Sequence, residues 1–88
     1  MQRSCRVLGF ELFFNNKFTE ALEKLDSPTR KVAEKILKKI VENPLRQKPL
    51  HGEPGSFRAR FSGYRIVYQV KGKRIIFWRL DKRDVVYK

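Results

Sequence analysis

Phe57-Arg-Ala-Arg-Phe-Ser-Gly-Tyr-Arg-Ile-Val-Tyr-Gln-Val70 alternates apolar and polar side chains on either side of Ser62-Gly63. A period of two is the period of a β-strand, and Ser-Gly between two such runs reads as a two-residue hairpin loop. In that register Phe61 faces Tyr64, Arg60 faces Arg65, Ala59 faces Ile66 and Arg58 faces Val67. Parity then sorts the faces: Phe57, Ala59, Phe61, Tyr64, Ile66, Tyr68 and Val70 point one way, and Arg58, Arg60, Arg65, Val67 and Gln69 the other.

Outward from this hairpin, Lys71-Gly72-Lys73 turns into a third strand, Arg74–Leu80. A two- or four-residue turn puts Ile75 and Phe77 in the core and Ile76, Trp78 and Leu80 on the other face, and a three-residue turn reverses this. Upstream, Leu45 to Ser56 carries Pro49, Gly52, Pro54 and Gly55, the punctuation of an irregular loop. Before it, Val32, Ala33, Ile36, Leu37, Ile40 and Val41 form one face of a helix from Pro28 to Glu42, with Ser27 as its N-cap and Asn43-Pro44 closing it. Its opposite face holds mostly Arg30, Lys31, Glu34, Lys35, Lys38 and Lys39, either a solvated surface or one that touches nucleic acid. Phe18, Ala21, Leu22 and Leu25 mark a shorter helix capped by Asn15 or Asn16, and Val7 to Phe14 reads as one first strand. The expected fold is a single α+β domain over residues 1–88, in the order β-α-α-β-β-β. Both helices cover one face of an antiparallel sheet and leave the other partly open.

Charge constrains the partner. Lys and Arg number 21 against 9 Asp and Glu, a net charge of +12 on 88 residues. Residues 57–88 hold ten cationic side chains and two acidic ones, so the excess concentrates in the C-terminal third. Such an imbalance repels itself, and a polyanion is its usual counterpart. Cys5 is the only cysteine, which excludes an intrachain disulfide and a cysteine-built zinc site. No His pair or carboxylate cluster has ligand spacing, so neither metal nor other cofactor is expected. Glu11 interrupts the apolar run near the N-terminus, against a secretory leader, and no stretch approaches a membrane span. A cytoplasmic protein is expected.

The three arginines on one parity face carry the functional argument. Like charges directly opposite across strands cost about 0.2–1 kcal/mol, and no acid near in sequence is placed to neutralise Arg58, Arg60 and Arg65. Arginine binds phosphate through a rigid two-pronged fork, so their convergence suits a phosphate clamp; the other reading is that they splay into solvent. Trp78 beside Arg65 offers a platform for a base or, alternatively, a lid over the sheet.

The block Leu50-His-Gly-Glu-Pro-Gly-Ser-Phe-Arg-Ala-Arg-Phe-Ser-Gly-Tyr-Arg-Ile-Val-Tyr-Gln-Val70, with Lys82-Arg-Asp-Val-Val-Tyr87, resembles the RelE/ParE toxin superfamily of type II toxin–antitoxin systems, in particular its RelE branch. The resemblance covers nearly the whole chain except about the first six residues. It rests on Arg-x-Arg, Gly-Tyr-Arg-x-x-Tyr and Arg-x-x-x-Tyr taken together. It implies a ribosome-dependent endoribonuclease that cuts mRNA by driving a 2′-hydroxyl onto the adjacent phosphate, inhibits translation, and is restrained by a small, acidic antitoxin.

By the same resemblance Arg58 and Arg60 are the basic residues near the scissile phosphate, Arg65 stabilises its charge, and Arg83 and Tyr87 are the C-terminal catalytic pair. Lys82 and Trp78 would add RNA contacts. Some RelE members carry lysines where this chain has Arg58 and Arg60, and arginine is a poor proton acceptor. Proton transfer would then fall to Tyr87, Asp81, Lys82 or His51. A ParE-like toxin that inhibits DNA gyrase and a non-catalytic RNA-binding or interaction module are the two rivals.

Overall fold

The computed structural model describes residues 3–49, 52 and 54–82. Its elements are β1 (Arg3–Val7), β2 (Phe10–Phe14), α1 (Asn16–Glu23), α2 (Ser27–Glu42), β3 (Lys48–Pro49), β4 (Ser56–Phe61), β5 (Tyr64–Lys71) and β6 (Arg74–Lys82). The six strands form one sheet in the order β1-β2-β6-β5-β4-β3. Core residues of both helices meet one side of that sheet, so the α+β class and the helix-covered face are as expected.

The β4–β5 hairpin has the expected register. Phe61 pairs with Tyr64, Arg60 with Arg65, Ala59 with Ile66 and Arg58 with Val67. Ser62 and Gly63 both take positive φ, 43° and 77°, the left-handed turn whose twist matches that of paired strands. Lys71 pairs with Arg74 around Gly72-Lys73, which puts Ile75 and Phe77 in the core.

Four expectations need correction. The first strand is a hairpin, because Leu8 and Gly9 both adopt positive φ, 54° and 84°, and turn the chain between β1 and β2. The sheet is mixed, since β2 lies parallel to β6, with Glu11 opposite Arg74 and Phe14 opposite Phe77. The expected loop contains a short strand, β3, in which Lys48 stands opposite Arg58. The α2 cap is Asp26, whose carboxylate accepts the Thr29 N–H at 3.4 Å, and Ser27 is already helical. Asn15 caps α1, accepting the Lys17 N–H.

The core is built around aromatic rings. Phe14, Phe77, Tyr68 and Phe57 follow one another across β2, β6, β5 and β4, with centroids 4.9, 5.9 and 5.5 Å apart. Phe18 of α1 closes over Phe14 and Phe77 at 5.8 and 5.5 Å. Ile40 and Ala33 of α2 are fully buried against the same layer, while Val32, expected on the core side, is partly exposed. A mostly apolar groove of about 460 Å³ remains between α2 and the β1–β2 hairpin, bordered by Val7, Leu8, Leu37 and Val41.

Tyr68 ties this layer to the loop after α2. Its hydroxyl donates to the Pro44 carbonyl at 2.7 Å from a fully buried position, and burial pushes the phenol well above its ordinary range. The folded chain therefore keeps a proton that the unfolded chain releases above about pH 10, and stability falls as pH rises past that value. Tyr68→Phe should lose about 1–3 kcal/mol at neutral pH, because the Pro44 carbonyl loses its partner. The same variant should lose less additional stability than wild type between pH 9 and pH 11, as read by urea melts at both values.

Candidate functional site

The face opposite the helices is cationic. Parity places Arg58, Arg60 and Arg65 on it, and the register adds Lys48 beside Arg58. Two rows cross the strands: Arg60, Arg65, Asp81, and Lys48, Arg58, Val67, Arg79. Arg58 is half-buried and Arg60 exposed, and Val67 is 9% exposed although it faces away from the helices. Long guanidinium side chains on either side of a small apolar residue shield it through their alkyl stems.

A bulge in β6 completes the arrangement. Val67 pairs with Arg79 and Tyr68 with Phe77, so Trp78 is the extra residue between them. An extra residue shifts all later side chains to the opposite face. Leu80, expected on the open face, is instead core at 6% exposure, and Arg79 and Asp81 come out beside Arg65. Trp78 is 38% exposed.

Asp81 corrects the expectation that no acid neutralises the cluster. Its carboxylate lies 3.1 Å from Arg79 Nε and 3.9 Å from Arg65 Nη2. It offsets part of the repulsion between Arg60 and Arg65, and it holds the Arg65 head group, 27% exposed, toward β6. Exposed ion pairs of this kind contribute only about 0.2–1 kcal/mol, so an incoming phosphate can displace Asp81 without threatening the fold.

Beside Arg65 the face opens into a cavity of about 520 Å³, running along β5 past Val67 to Gln69 and bordered by Ser56, Trp78, Arg79 and, from the start of α1, Asn15 and Lys17. Four buried polar atoms on this face lack a hydrogen-bond partner among the described residues: Ser56 Oγ, Arg58 Nε, Arg65 Nε and Gln69 Oε1. An unpartnered buried polar atom costs about 1–3 kcal/mol, and three of the four belong to residues that border the cavity, Ser56, Arg65 and Gln69.

Of the residues singled out from sequence, the structure brings together Arg58, Arg60, Arg65, Trp78 and Asp81. Lys82 does not join them: it pairs with Tyr64, on helix-side parity, and is exposed at the end of β6. His51, Arg83 and Tyr87 lie outside the described residues. Lys48, Ser56 and Arg79 were missed, and Gln69 was placed on the right face without a role. The signal for Arg79 was present: uninterrupted alternation would have buried an arginine and exposed Leu80, which itself calls for a bulge. Among the described residues no three His, Cys, Asp or Glu side chains gather in a way that could hold a metal, and no helix is long and apolar enough to cross a membrane.

Comparison with known proteins fits this geometry. The family described as the ParE toxin of type II toxin–antitoxin systems, parDE, matches residues 12–87. The isolated E. coli RelE toxin superposes with a TM-score of 0.77 at 29% identity, covering 85% of each chain. The intact E. coli RelBE toxin–antitoxin complex gives 0.75 at 30% identity, over 84% of this chain and 96% of that one. The RelBE2 toxin–antitoxin complex of Mycobacterium tuberculosis gives 0.68 at 30% identity, over 82% and 95%. No curated protein sequence matches the chain.

The position of Asp81 between two guanidiniums makes a directional prediction. Asp81→Asn should bind a polyanion such as heparin about two- to five-fold more tightly at low salt, the weight of one exposed charge pair. Arg65→Gln should bind it more weakly, with a shallower salt dependence. Titrations at two ionic strengths decide it, and weaker binding by Asp81→Asn would mean that the carboxylate orients the arginines rather than competing with the ligand.

Proposed function

The chain belongs to the RelE/ParE superfamily of type II toxin–antitoxin toxins, and from that premise we propose that it is a ribosome-dependent endoribonuclease that cuts mRNA. The observation that carries this reading is the guanidinium face beside a cavity whose own polar atoms lack partners. In the proposed reaction a 2′-hydroxyl loses its proton and attacks the adjacent phosphorus, and the bond to the 5′-oxygen breaks. The products are a 2′,3′-cyclic phosphate and a 5′-hydroxyl. Negative charge builds on the phosphate oxygens as the attack proceeds, and donors already in place for it lower the barrier.

Arg65 is proposed as the donor to those oxygens, since its Nε is buried and unpartnered and its Nη2 is only loosely held by Asp81. Arg58 and Arg60 would grip the flanking backbone. Arg83 would add charge, and Tyr87 would position the phosphate or carry a proton. Asp81 is a further proton acceptor within the site, though its place between Arg65 and Arg79 suits charge balance better. Tyr68, whose burial strongly favours the protonated phenol, takes no part.

The likeness to RelBE complexes extends the proposal to a partner: a cognate antitoxin, small and acidic, would bind a toxin of +12 net charge. Its affinity would fall with rising salt wherever the charge pairs remain exposed. The matching family description names ParE, and that favours a second reading, inhibition of DNA gyrase.

Induction of the toxin should create new 5′ ends inside translated mRNA while leaving gyrase supercoiling activity unchanged; the reverse pattern would establish the second reading. In single-turnover cleavage of ribosome-bound mRNA, Arg65→Ala should slow the reaction about 10²–10³-fold through loss of one transition-state donor. A chain ending at Val86 should slow it roughly 10²–10⁴-fold, and Lys38→Ala on α2 should cost little. Circular dichroism checks that each variant folds. Equal rates for wild type and the Tyr87 truncation would remove Tyr87 from the mechanism. Absence of cleavage by every form, with gyrase unaffected, would mean binding without chemistry.

A further inference from the structure

We infer that a second nucleotide subsite lies where β6 meets the start of α1: Trp78 stacks a base of any identity, and Lys17 and Arg79 hold the adjoining phosphate. The inference rests on the proposal that the open-face cavity receives RNA, and it extends that site beyond the phosphate that Arg65 would hold.

Two local features of the chain bring these three side chains to one place. β2 ends beside β6, where the Asn15 N–H donates to the Phe77 carbonyl at 3.0 Å. Asn15 then caps α1 by accepting the Lys17 N–H, which puts the exposed Lys17 in the first turn of the helix, beside β6. On β6, Trp78 is the bulged residue and is 38% exposed, and the parity shift after it brings Arg79 to the open face. All three border the cavity together with Arg65. The row Lys48, Arg58, Val67, Arg79 crosses from β3 to β6, about 14 Å at three strand spacings, and Lys17 continues it beyond β6.

The chemistry of this wall selects the ligand. Three cations border the cavity, Lys17, Arg65 and Arg79, and among the described residues no acid does. Asp81 lies against Arg79 Nε, which leaves the terminal nitrogens of that guanidinium for an incoming anion. Trp78 carries the only exposed aromatic ring among the described residues. An acidic peptide would neutralise the cations and leave the indole in water, whereas a nucleotide neutralises them and covers the indole with its base. Stacking on an aromatic ring beside cationic side chains holds a single strand without regard to sequence, since every base has a π face.

Two 2′-O-methyl hexamers, oligo-U and an abasic chain with the same phosphates, carry equal charge and cannot be cut by 2′-hydroxyl attack. A polyglutamate peptide of matched charge represents the acidic-peptide alternative. Trp78 is the only tryptophan in the chain, so quenching of its fluorescence reports occupancy beside the indole. Oligo-U should quench it and bind about 5- to 150-fold more tightly than the abasic chain, the weight of one stacked base. Trp78→Leu, followed by anisotropy of labelled chains, should erase that difference and leave abasic affinity unchanged. Lys17→Gln should weaken both chains alike and make the slope of log affinity against log salt shallower by about 0.7, one phosphate contact on a single strand. Lys38→Gln, the same charge change on α2, should leave the slope as it is. Thermal melts confirm that each variant is folded.

Equal affinities for oligo-U and the abasic chain, or a difference that survives Trp78→Leu, would overturn the subsite. So would Lys17→Gln behaving like Lys38→Gln. Polyglutamate that quenches Trp78 and binds as tightly as oligo-U would mark the wall as a peptide surface instead. Stacking at Trp78 without mRNA cleavage would leave the subsite standing and remove the nuclease reading. Cleavage of mRNA without discrimination between the two chains would do the opposite.

Discussion

Four aromatic rings in a row fix everything else in this molecule. Phe14, Phe77, Tyr68 and Phe57 sit side by side on β2, β6, β5 and β4, each within 6 Å of the next. Slipping any one strand by a single residue would send its ring to the opposite face and bring a polar or charged side chain under the helices. For β4 that would bury an arginine, a cost far beyond the roughly 0.5–1.5 kcal/mol that one aromatic pair contributes. The row thereby fixes the register of the sheet, and register alone decides what the outer face displays. Arg58, Arg65, Gln69 and Ser56 are where they are because their neighbours in sequence are packed beneath Phe18 and Ile40.

The outer face is the stability cost of that design. Arg60 and Arg65 stand directly opposite one another, and four buried polar atoms have no partner among the described residues. The fold tolerates this because the inner face is packed with apolar and aromatic side chains and because Asp81 lies against two of the guanidiniums. In the proposed reaction this weak internal ion pair would serve as a placeholder: it would restrain Arg65 in the absence of ligand and yield to a phosphate that offers more and better-aligned acceptors.

Alternation around Ser62-Gly63 was enough to read the β4–β5 register and the shared face of three arginines, since a two-residue loop leaves no freedom in the pairing. Helical periodicity placed α1 and α2 within a residue or two. Leu8 hid the first hairpin, because left-handed turns are normally signalled by Asn, Asp or Gly at that position, and leucine there reads as strand. The parallel pairing of β2 with β6 joins the two ends of the chain and has no local signature. A two-residue turn at Gly72-Lys73 puts Trp78 and Leu80 on the open face, and only Trp78 is there, since a single bulged residue reverses parity for all that follows. Ser56 and Gln69 show nothing unusual in sequence; their importance comes from burial without a partner, which only coordinates reveal.

The parallel contact between β2 and β6 also imposes an order in time. The β4–β5–β6 meander is made of neighbours in sequence and can form quickly, whereas β2, paired with β1 in a hairpin, must wait for β6 before that hairpin can join the rest of the sheet. During synthesis the N-terminal hairpin and both helices therefore emerge with their apolar faces uncovered, and Phe14 and Phe18 find Phe77 only once β6 has been made. The outer face takes shape in the same closing interval, because Trp78, Arg79 and Asp81 are among the last described residues to appear. A nascent chain of this kind has neither a closed core nor an assembled cationic face until β6 has been made.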